Sequence, residues 1–388
     1  MEATGIVAEY NPFHNGHLYH LAKARQLTQQ PVIVVMSGSF MQRGEPAILD
    51  KWQRAQLAVQ GGADLVIELP CAFALRSAQF FASGAVQLLA ATGCCSALCC
   101  GAETATADFA ELAHRATSSE AQQRLRALLK SGASYASAAC EAIGSNAMLT
   151  SPNDILALEY TKALLGTGIT PLYVQRQDAG YNSAAISGSS ASATAIRQAL
   201  IKEDASWQKA VPPYVRTALS AAGYDEHLLW QLISCRLRLL TPAQIAARCE
   251  ASEGLENLLK QAASCESLAE AAALCTHKRY TTSRARRLLL QILLDRPRSV
   301  WQQAAPAYLR VLSFGSTGRQ LLKQMKRTST LPVITKLGKN AAQWQGAAFA
   351  AQLELDIAAT DVWSMLQRGS FSKRAGNDYY TSPVYVDR

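Results

Sequence analysis

Two histidines three residues apart, on either side of a glycine, carry the clearest chemical signal in this chain: His14-Asn15-Gly16-His17. An apolar β-type run ends just before them, and a turn through Asn11-Pro12 opens a helix on the motif. Residues three apart share a face on the first helical turn. Gly16 has no Cβ, so a ligand can approach the backbone there. A helix N-terminus presents free N–H groups and the positive end of a dipole, both of which favour phosphate. Two imidazoles beside such a terminus donate hydrogen bonds to phosphate oxygens as charge builds in a transition state. Nucleotidyl transfer is the chemistry this arrangement suits, with His14 and His17 as the catalytic pair. His20 lies one further i+3 step along the same face and either touches the phosphates or packs.

These residues need a rigid platform, and the first 200 residues read as one. Thr4–Ala8, Val32–Met36, Asp64–Leu69, Ala97–Cys100 and Pro171–Gln175 are predicted strands. Three of them carry continuous aliphatic runs, the pattern of strands buried on both faces. Helical patterns over His17–Thr28, Lys51–Gln60 and Ala78–Ala91 lie between them. Alternating strand and helix predicts an α/β fold with a parallel sheet built from right-handed crossovers. Ligands of such sheets bind beyond the carboxyl ends of the strands, where the histidine motif falls. Beyond residue 201 the chain reads as mainly helical, with Leu255–Ala263 and Ser283–Leu294 at helical spacing. A short mixed tail follows, in which Tyr385-Val386 forms a last strand or a loose end. The expected division is residues 1–200 for catalysis and 201–388 for a basic, mainly helical region.

Charge divides the same way. The 388 residues carry a net charge of +9; residues 1–200 hold 13 Lys+Arg against 14 Asp+Glu, and residues 201–388 hold 25 against 15. A basic half implies a polyanionic partner larger than a nucleotide. The densest run, His277 to Arg287, includes Lys278, Arg279, Arg284, Arg286 and Arg287 around Tyr280. A second cluster, Lys323, Lys326 and Arg327 with Arg319, falls on one helical face. Such clusters bind phosphate backbones, and an aromatic among them can stack an unpaired base; the alternative is a solvated charged face. Cys94, Cys95, Cys99 and Cys100 invite a metal reading, but Ala97-Leu98-Cys99-Cys100 reads as buried strand, where free Cys acts as a small hydrophobe. Without a basic and apolar leader or a membrane-length apolar run, the expectation is a reducing cytoplasm.

The motif residues also carry a family resemblance. His14-Asn15-Gly16-His17 resembles the His-x-Gly-His motif of the nucleotidylyltransferase superfamily. The longer string Glu9-Tyr10-Asn11-Pro12-Phe13-His14-Asn15-Gly16-His17, with Met36-Ser37-Gly38-Ser39-Phe40-Met41-Gln42-Arg43-Gly44-Glu45-Pro46-Ala47, resembles the bacterial tRNA(Met) cytidine acetate ligases. That resemblance implies a Rossmann-like ATP-binding domain and a two-step reaction. Acetate and ATP would give acetyl-adenylate, and the wobble cytidine of elongator tRNA(Met) would become N4-acetylcytidine. It implies ATP contacts from Val7, Ala8, Glu9, Tyr10, Asn11, Pro12, Phe13, His14, Asn15, Gly16, His17, Leu18, Tyr19 and His20, and from Gly101, Asn153 and Arg176. Ser192, Thr194 and Arg197 resemble the Ser-Ser-Thr-x-x-Arg element of the superfamily, with Ala193 where a second Ser is common. Ser192 and Thr194 also fit simple helix capping, as does Asn153. Arg43, Lys51 and Arg54 either meet the acyl substrate and phosphates or serve as surface charge. Mg²⁺ is expected with ATP, its ligands unknown. The histidine motif by itself also suits a small-molecule adenylyltransferase that makes a dinucleotide cofactor.

Overall fold

A computed structural model describes residues 1–133, 135–144, 151–176, 186, 191–277, 279–338, 346–368 and 375–387. Its spine is a sheet in the order β10-β8-β5-β2-β1-β6-β7. In chain order the strands are β1 (Ala3–Ala8), β2 (Val32–Ser37), β3 (Phe40–Met41), β4 (Glu45–Pro46), β5 (Leu65–Leu69), β6 (Cys95–Ala102), β7 (Thr170–Gln175), β8 (Leu309–Phe314), β9 (Val333–Ile334) and β10 (Val384–Tyr385). β3 and β4 form a separate two-stranded hairpin, and β9 pairs with β8. The five strands β5-β2-β1-β6-β7 are parallel, as the alternating pattern predicts.

The sheet is buried on both faces, and strand alternation sorts its side chains between two cores. Ile33, Val35, Leu65, Ile67, Leu98 and Cys100 face one core, packed with Phe81, Val86 and Leu88 of the helix α3 (Ala78–Ala91). Val32, Val34, Met36, Val66 and Cys99 face the other. There they meet Leu21 of α1 (Asn15–Thr28) and Trp52 of α2 (Lys51–Gln60). Neighbouring Cys99 and Cys100 thus point to opposite sides of the sheet, as packing residues of a strand do.

The chain beyond residue 200 is not separate from this platform. β8 pairs antiparallel with β5, and β10 pairs with β8, so both halves share one sheet. β8 reads poorly as a strand in sequence because Arg310 and Ser313, both buried, interrupt its apolar run. Helices α4 (Pro152–Leu164) and α5 (Ala193–Ile201) complete the first half. In the second half, α6 (Thr282–Leu294) lies against the β3–β4 hairpin: a Cβ on Gly44, at φ +78°, would sit 2.6 Å from Arg286 Cβ. α7 (Ser316–Thr328), α8 (Ala347–Leu366) and α9 (Asn377–Tyr380) follow. The expected helix Leu255–Ala263 ends at Gln261 and tightens into a 3₁₀ turn over Ala262–Ser264. No helix among the described residues is long and apolar enough to cross a membrane.

Candidate active site

β1 lies between β2 and β6, where the strand order reverses. Its carboxyl end delivers the chain into the turn before α1, the position where open α/β sheets bind ligands. His14 is the N-cap of α1, with extended backbone at φ −139°, ψ 175°. Its Nδ1 accepts the main-chain N–H of Gly16 at 3.1 Å. Nδ1 of His17 in turn accepts the main-chain N–H of His14 at 3.3 Å. The two rings stack with centroids 3.7 Å apart. A ring nitrogen that accepts an N–H carries no proton, so in both rings the proton sits on Nε2. The motif is therefore a reciprocal cap that also sets two imidazole tautomers as donors.

Burial, with His14, Arg176 and His20 close by, holds His17 well below the usual histidine range, so the ring is neutral near pH 7. His20 is pushed down to about 4, chiefly by burial and then by Arg176. Its Nε2 is buried without a hydrogen-bond partner among the described residues. Tyr10 packs edge-on against His17 at 4.8 Å and against Phe13 at 4.9 Å. Both Tyr10 and Phe13 are fully buried, so they form the wall that holds the His17 ring.

The histidines border a cavity of about 1030 Å³. Val7, Ala8, Glu9, Tyr10, Asn11, Asn15, Gly16, Tyr19 and His20 line it with them. Pro12, Phe13 and Leu18 do not: Phe13 is core, and Leu18 is exposed on the outer face of α1. Gly101 lines the cavity from the end of β6, and Arg176 from the end of β7. Asn153 lines it from the start of α4, but Ser151 is the N-cap there, not Asn153. The Asn153 amide donates instead to Glu103. Ser192 caps α5 and accepts from Ala195 N–H at 3.1 Å. Thr194 and Arg197, one turn apart on α5, reach the same space. The Arg197 guanidinium donates to Asn11 O at 2.7 Å and pairs with Glu45 at 2.9 Å, joining α5 to the histidine turn and to the hairpin. Three helix N-termini, of α1, α4 and α5, therefore meet at one cavity.

Lys51 and Arg54 do not. Lys51 is buried and bridges Glu68 and Asp378, each at 2.8 Å. Arg54 is buried and donates to the carbonyls of Glu9, Ser37 and Gly38, tying the loops after β1 and β2 together. Both were candidate ligand contacts, and both are internal struts; Arg43 alone of the three lines the cavity.

The far wall comes from the basic half. Arg279, Arg284 and Arg287 line the same cavity. Arg287 Nη1 donates to Gln42 O at 2.9 Å, and burial lowers its pKa to about 10. Arg286 pairs with Glu45 at 3.5 Å. Lys278 lies outside the described residues. Tyr280 is not the open stacking surface that its setting in a basic run suggests. It is buried, its hydroxyl donates to Glu253 at 2.9 Å, and the Arg284 guanidinium covers its ring at 4.3 Å. Lys323, Lys326 and Arg327 are exposed on α7 and sit elsewhere. α7 packs against the amino ends of the strands, where Gly315 N–H donates to Asp64 O and Thr328 Oγ1 to Thr92 O, each at 2.9 Å.

A histidine pair caps a helix terminus at the switch point of a parallel sheet, and the HIGH Nucleotidyl Transferase profile matches residues 1–378. The chain belongs to the HIGH nucleotidyl transferase family. Within it, the tRNA(Met) cytidine acetate ligase of Syntrophomonas wolfei is 39% identical, with 99% of each chain covered. The protein of that name from Clostridium kluyveri is 37% identical over the whole of both chains. The apo crystal structure of Thermotoga maritima TmcAL superposes with a TM-score of 0.93 at 31% identity over all of both chains. The form of that protein bound with alpha-thio ATP superposes at 0.91 with 30% identity.

Against this family background, sequence reasoning missed Phe80, which lines the cavity, and Arg76, which backs its ring. Gln42, also in the lining, ties Arg76 to the loop after β1. Gln42 N–H donates to Glu9 at 2.6 Å, and its side chain donates to Arg76 O at 3.3 Å. The Arg76 guanidinium lies 3.3 Å from the Phe80 ring centroid. The available signal was positional: Arg76 and Phe80 follow the carboxyl end of β5, on the ligand side of the sheet.

Proposed function

We propose that this chain activates acetate with ATP and transfers the acetyl group to the wobble cytidine of elongator tRNA(Met), making N4-acetylcytidine. The observation that carries the reading is the His14–His17 donor pair facing a cavity whose other wall is arginine-rich. Full-length likeness to proteins named tRNA(Met) cytidine acetate ligase supports it.

In the first step an acetate oxygen attacks the α-phosphorus of ATP. The bond to the bridging oxygen of the β-phosphate breaks, and pyrophosphate leaves with that electron pair. Nε2–H of His14 and His17 stabilises the charge gathering on the α-phosphate oxygens; removal of one such preorganised donor typically costs about 2.7–4 kcal/mol of barrier stabilisation. A neutral His17 donates its hydrogen bond without bringing a buried charge. Arg176 and Arg197 hold phosphates, and Gly101 and Asn153 meet the nucleoside. In the second step the cytidine N4 attacks the acetyl carbon, AMP leaves with the C–O electron pair, and the N4 proton passes to water. Arg279, Arg284 and Arg287 take RNA phosphates. Residues 1–200 thus form the adenylate, and residues 201–388 receive the RNA.

Mg²⁺ on the pyrophosphate oxygens would neutralise the leaving group. The described residues contain no group of three His, Cys, Asp or Glu side chains fit to hold a metal. Glu45 is engaged by Arg197 and Arg286. The ion would therefore ride on phosphate and water, as Mg²⁺ commonly does with nucleotides.

Acetate-dependent ATP–pyrophosphate exchange, followed by transfer of labelled acetate to elongator tRNA(Met), tests the reading. Exchange that ignores acetate but responds to a mononucleotide would move the chain to cofactor synthesis.

A further inference from the structure

We infer that the basic lobe of the cavity binds one unstacked pyrimidine nucleotide, with Phe80 as the surface on which its base stacks. This rests on the proposed transfer to a cytidine in an RNA loop, and it assigns the acceptor a place in the fold.

The lining of the cavity holds two sets of residues, its histidine and basic lobes: His14, His17 and Arg176 in one, and Phe80, Arg284 and Arg287 in the other. Gln42 contacts both: its N–H binds Glu9, its carbonyl receives Arg287, and its amide reaches Arg76 O. Ligand pockets run to about 300–1,000 Å³, and at about 1030 Å³ this space stands at the top of that range.

Phe80 is suited to a base for three reasons. It is half-buried and lines the cavity, whereas Tyr10, Phe81 and Tyr160 in the same lining are buried. Its ring is backed by the Arg76 guanidinium, 3.3 Å from the ring centroid, while Phe80 and not Arg76 lines the cavity. Arg76 is itself fixed by Glu250 at 2.9 Å and by Gln303 O at 3.4 Å, so the platform is rigid. Arg284 and Arg287, three apart on α6, line the same cavity with the charge a flanking phosphate needs. Enzymes that modify a base remove it from its stack, and aromatic side chains then hold its face. A pyrimidine stacked on Phe80 has its exocyclic amine edge free to face the histidine lobe, where the acyl group is made. A solvent-filled antechamber with no ligand role is the alternative that the experiment excludes.

The test uses the full chain and an anticodon stem-loop RNA with a fluorescent pyrimidine at the wobble position. Stacking should quench the fluorophore on the wild type and on Phe80→Trp, and not on Phe80→Ala. Base–aromatic stacking is worth about 1–3 kcal/mol, so acetyl transfer to the unmodified stem-loop should slow about 5- to 150-fold in Phe80→Ala. Phe80→Trp should recover it. Acetate-dependent pyrophosphate exchange, a half-reaction in which Phe80 takes no part, should stay within about twofold, a change below 0.5 kcal/mol. Wild-type transfer by Phe80→Ala, or equal loss of exchange and transfer, overturns the assignment. A wild type without acetate-dependent exchange that still quenches through Phe80 would remove the acetate reading and keep the nucleotide lobe.

Discussion

The two ends of the central sheet carry similar charges to different effect. At the carboxyl end, Arg197, Arg284 and Arg287 are drawn into a concave site and pinned by Asn11 O, Ser252 and Gln42 O. At the amino end, Lys323, Lys326 and Arg327 of α7 stand exposed to solvent. In sequence the two clusters look alike. Burial in a cavity weakens screening and gives a cation a defined partner, whereas an exposed cation contributes mainly long-range steering that salt erases. The lesson is that the density of basic residues pointed to a polyanion partner, and concavity separates the cations that line the cavity from those that face solvent.

The largest effect should come from Lys51→Met at the carboxyl end. Removing one partner of a buried ion pair strands Glu68 and leaves Asp378 with Arg310 alone, and denaturant unfolding should show a loss of about 3–5 kcal/mol. A loss under 1 kcal/mol would mean that this end is not held by its buried charges. His17→Ala should slow pyrophosphate exchange about 10²–10³-fold while leaving tRNA affinity unchanged. Parallel loss of both would indicate misfolding and blur the separation of the two chemistries.

Acid should also act at the carboxyl end. His20 is neutral when folded, with a pKa of about 4, and protonates near 6.5 when unfolded. Its burial therefore costs nothing above about pH 6.5, and stability is lost as pH falls from there toward 4. His20→Asn should flatten that slope in unfolding curves at pH 7 and 4.5.

Smaller still, Arg284→Gln should weaken tRNA binding and lower its salt slope by about one unit, with exchange intact. The triple change of Lys323, Lys326 and Arg327 to Gln should leave stability within about 0.5 kcal/mol and exchange unchanged, as for exposed sites. Its effect on tRNA affinity should fall below that of Arg284→Gln alone. A larger effect would show that the RNA reaches round to the amino end.

Much of the platform was legible. The aliphatic runs of β1, β2 and β5 and the helices after them follow from periodicity, because strands buried on both faces must be apolar throughout. β8 was not legible: Arg310 is buried near Asp378, a partner 68 residues away in the chain, so its strand character depends on a contact that no local pattern encodes. The cap of α4 falls two residues before Asn153, since Ser151 and Asn153 are both good caps and only the backbone chooses between them. Tyr280 and Lys51 misled for a shared reason. Sequence shows that a side chain is polar or aromatic, and burial decides whether it is offered to a ligand.

By itself, the sequence determined that a histidine pair would open a helix behind a buried parallel strand, and that charge would gather in the second half. Those are local properties, set by residue type, spacing and composition. Tertiary structure alone decided that His14 and His17 cap each other through Nδ1 and present Nε2–H, that α6 rather than α7 lines the cavity, and that Phe80 lines it too. Each of these depends on atoms brought together across tens or hundreds of residues, by packing against a sheet to which both halves contribute strands.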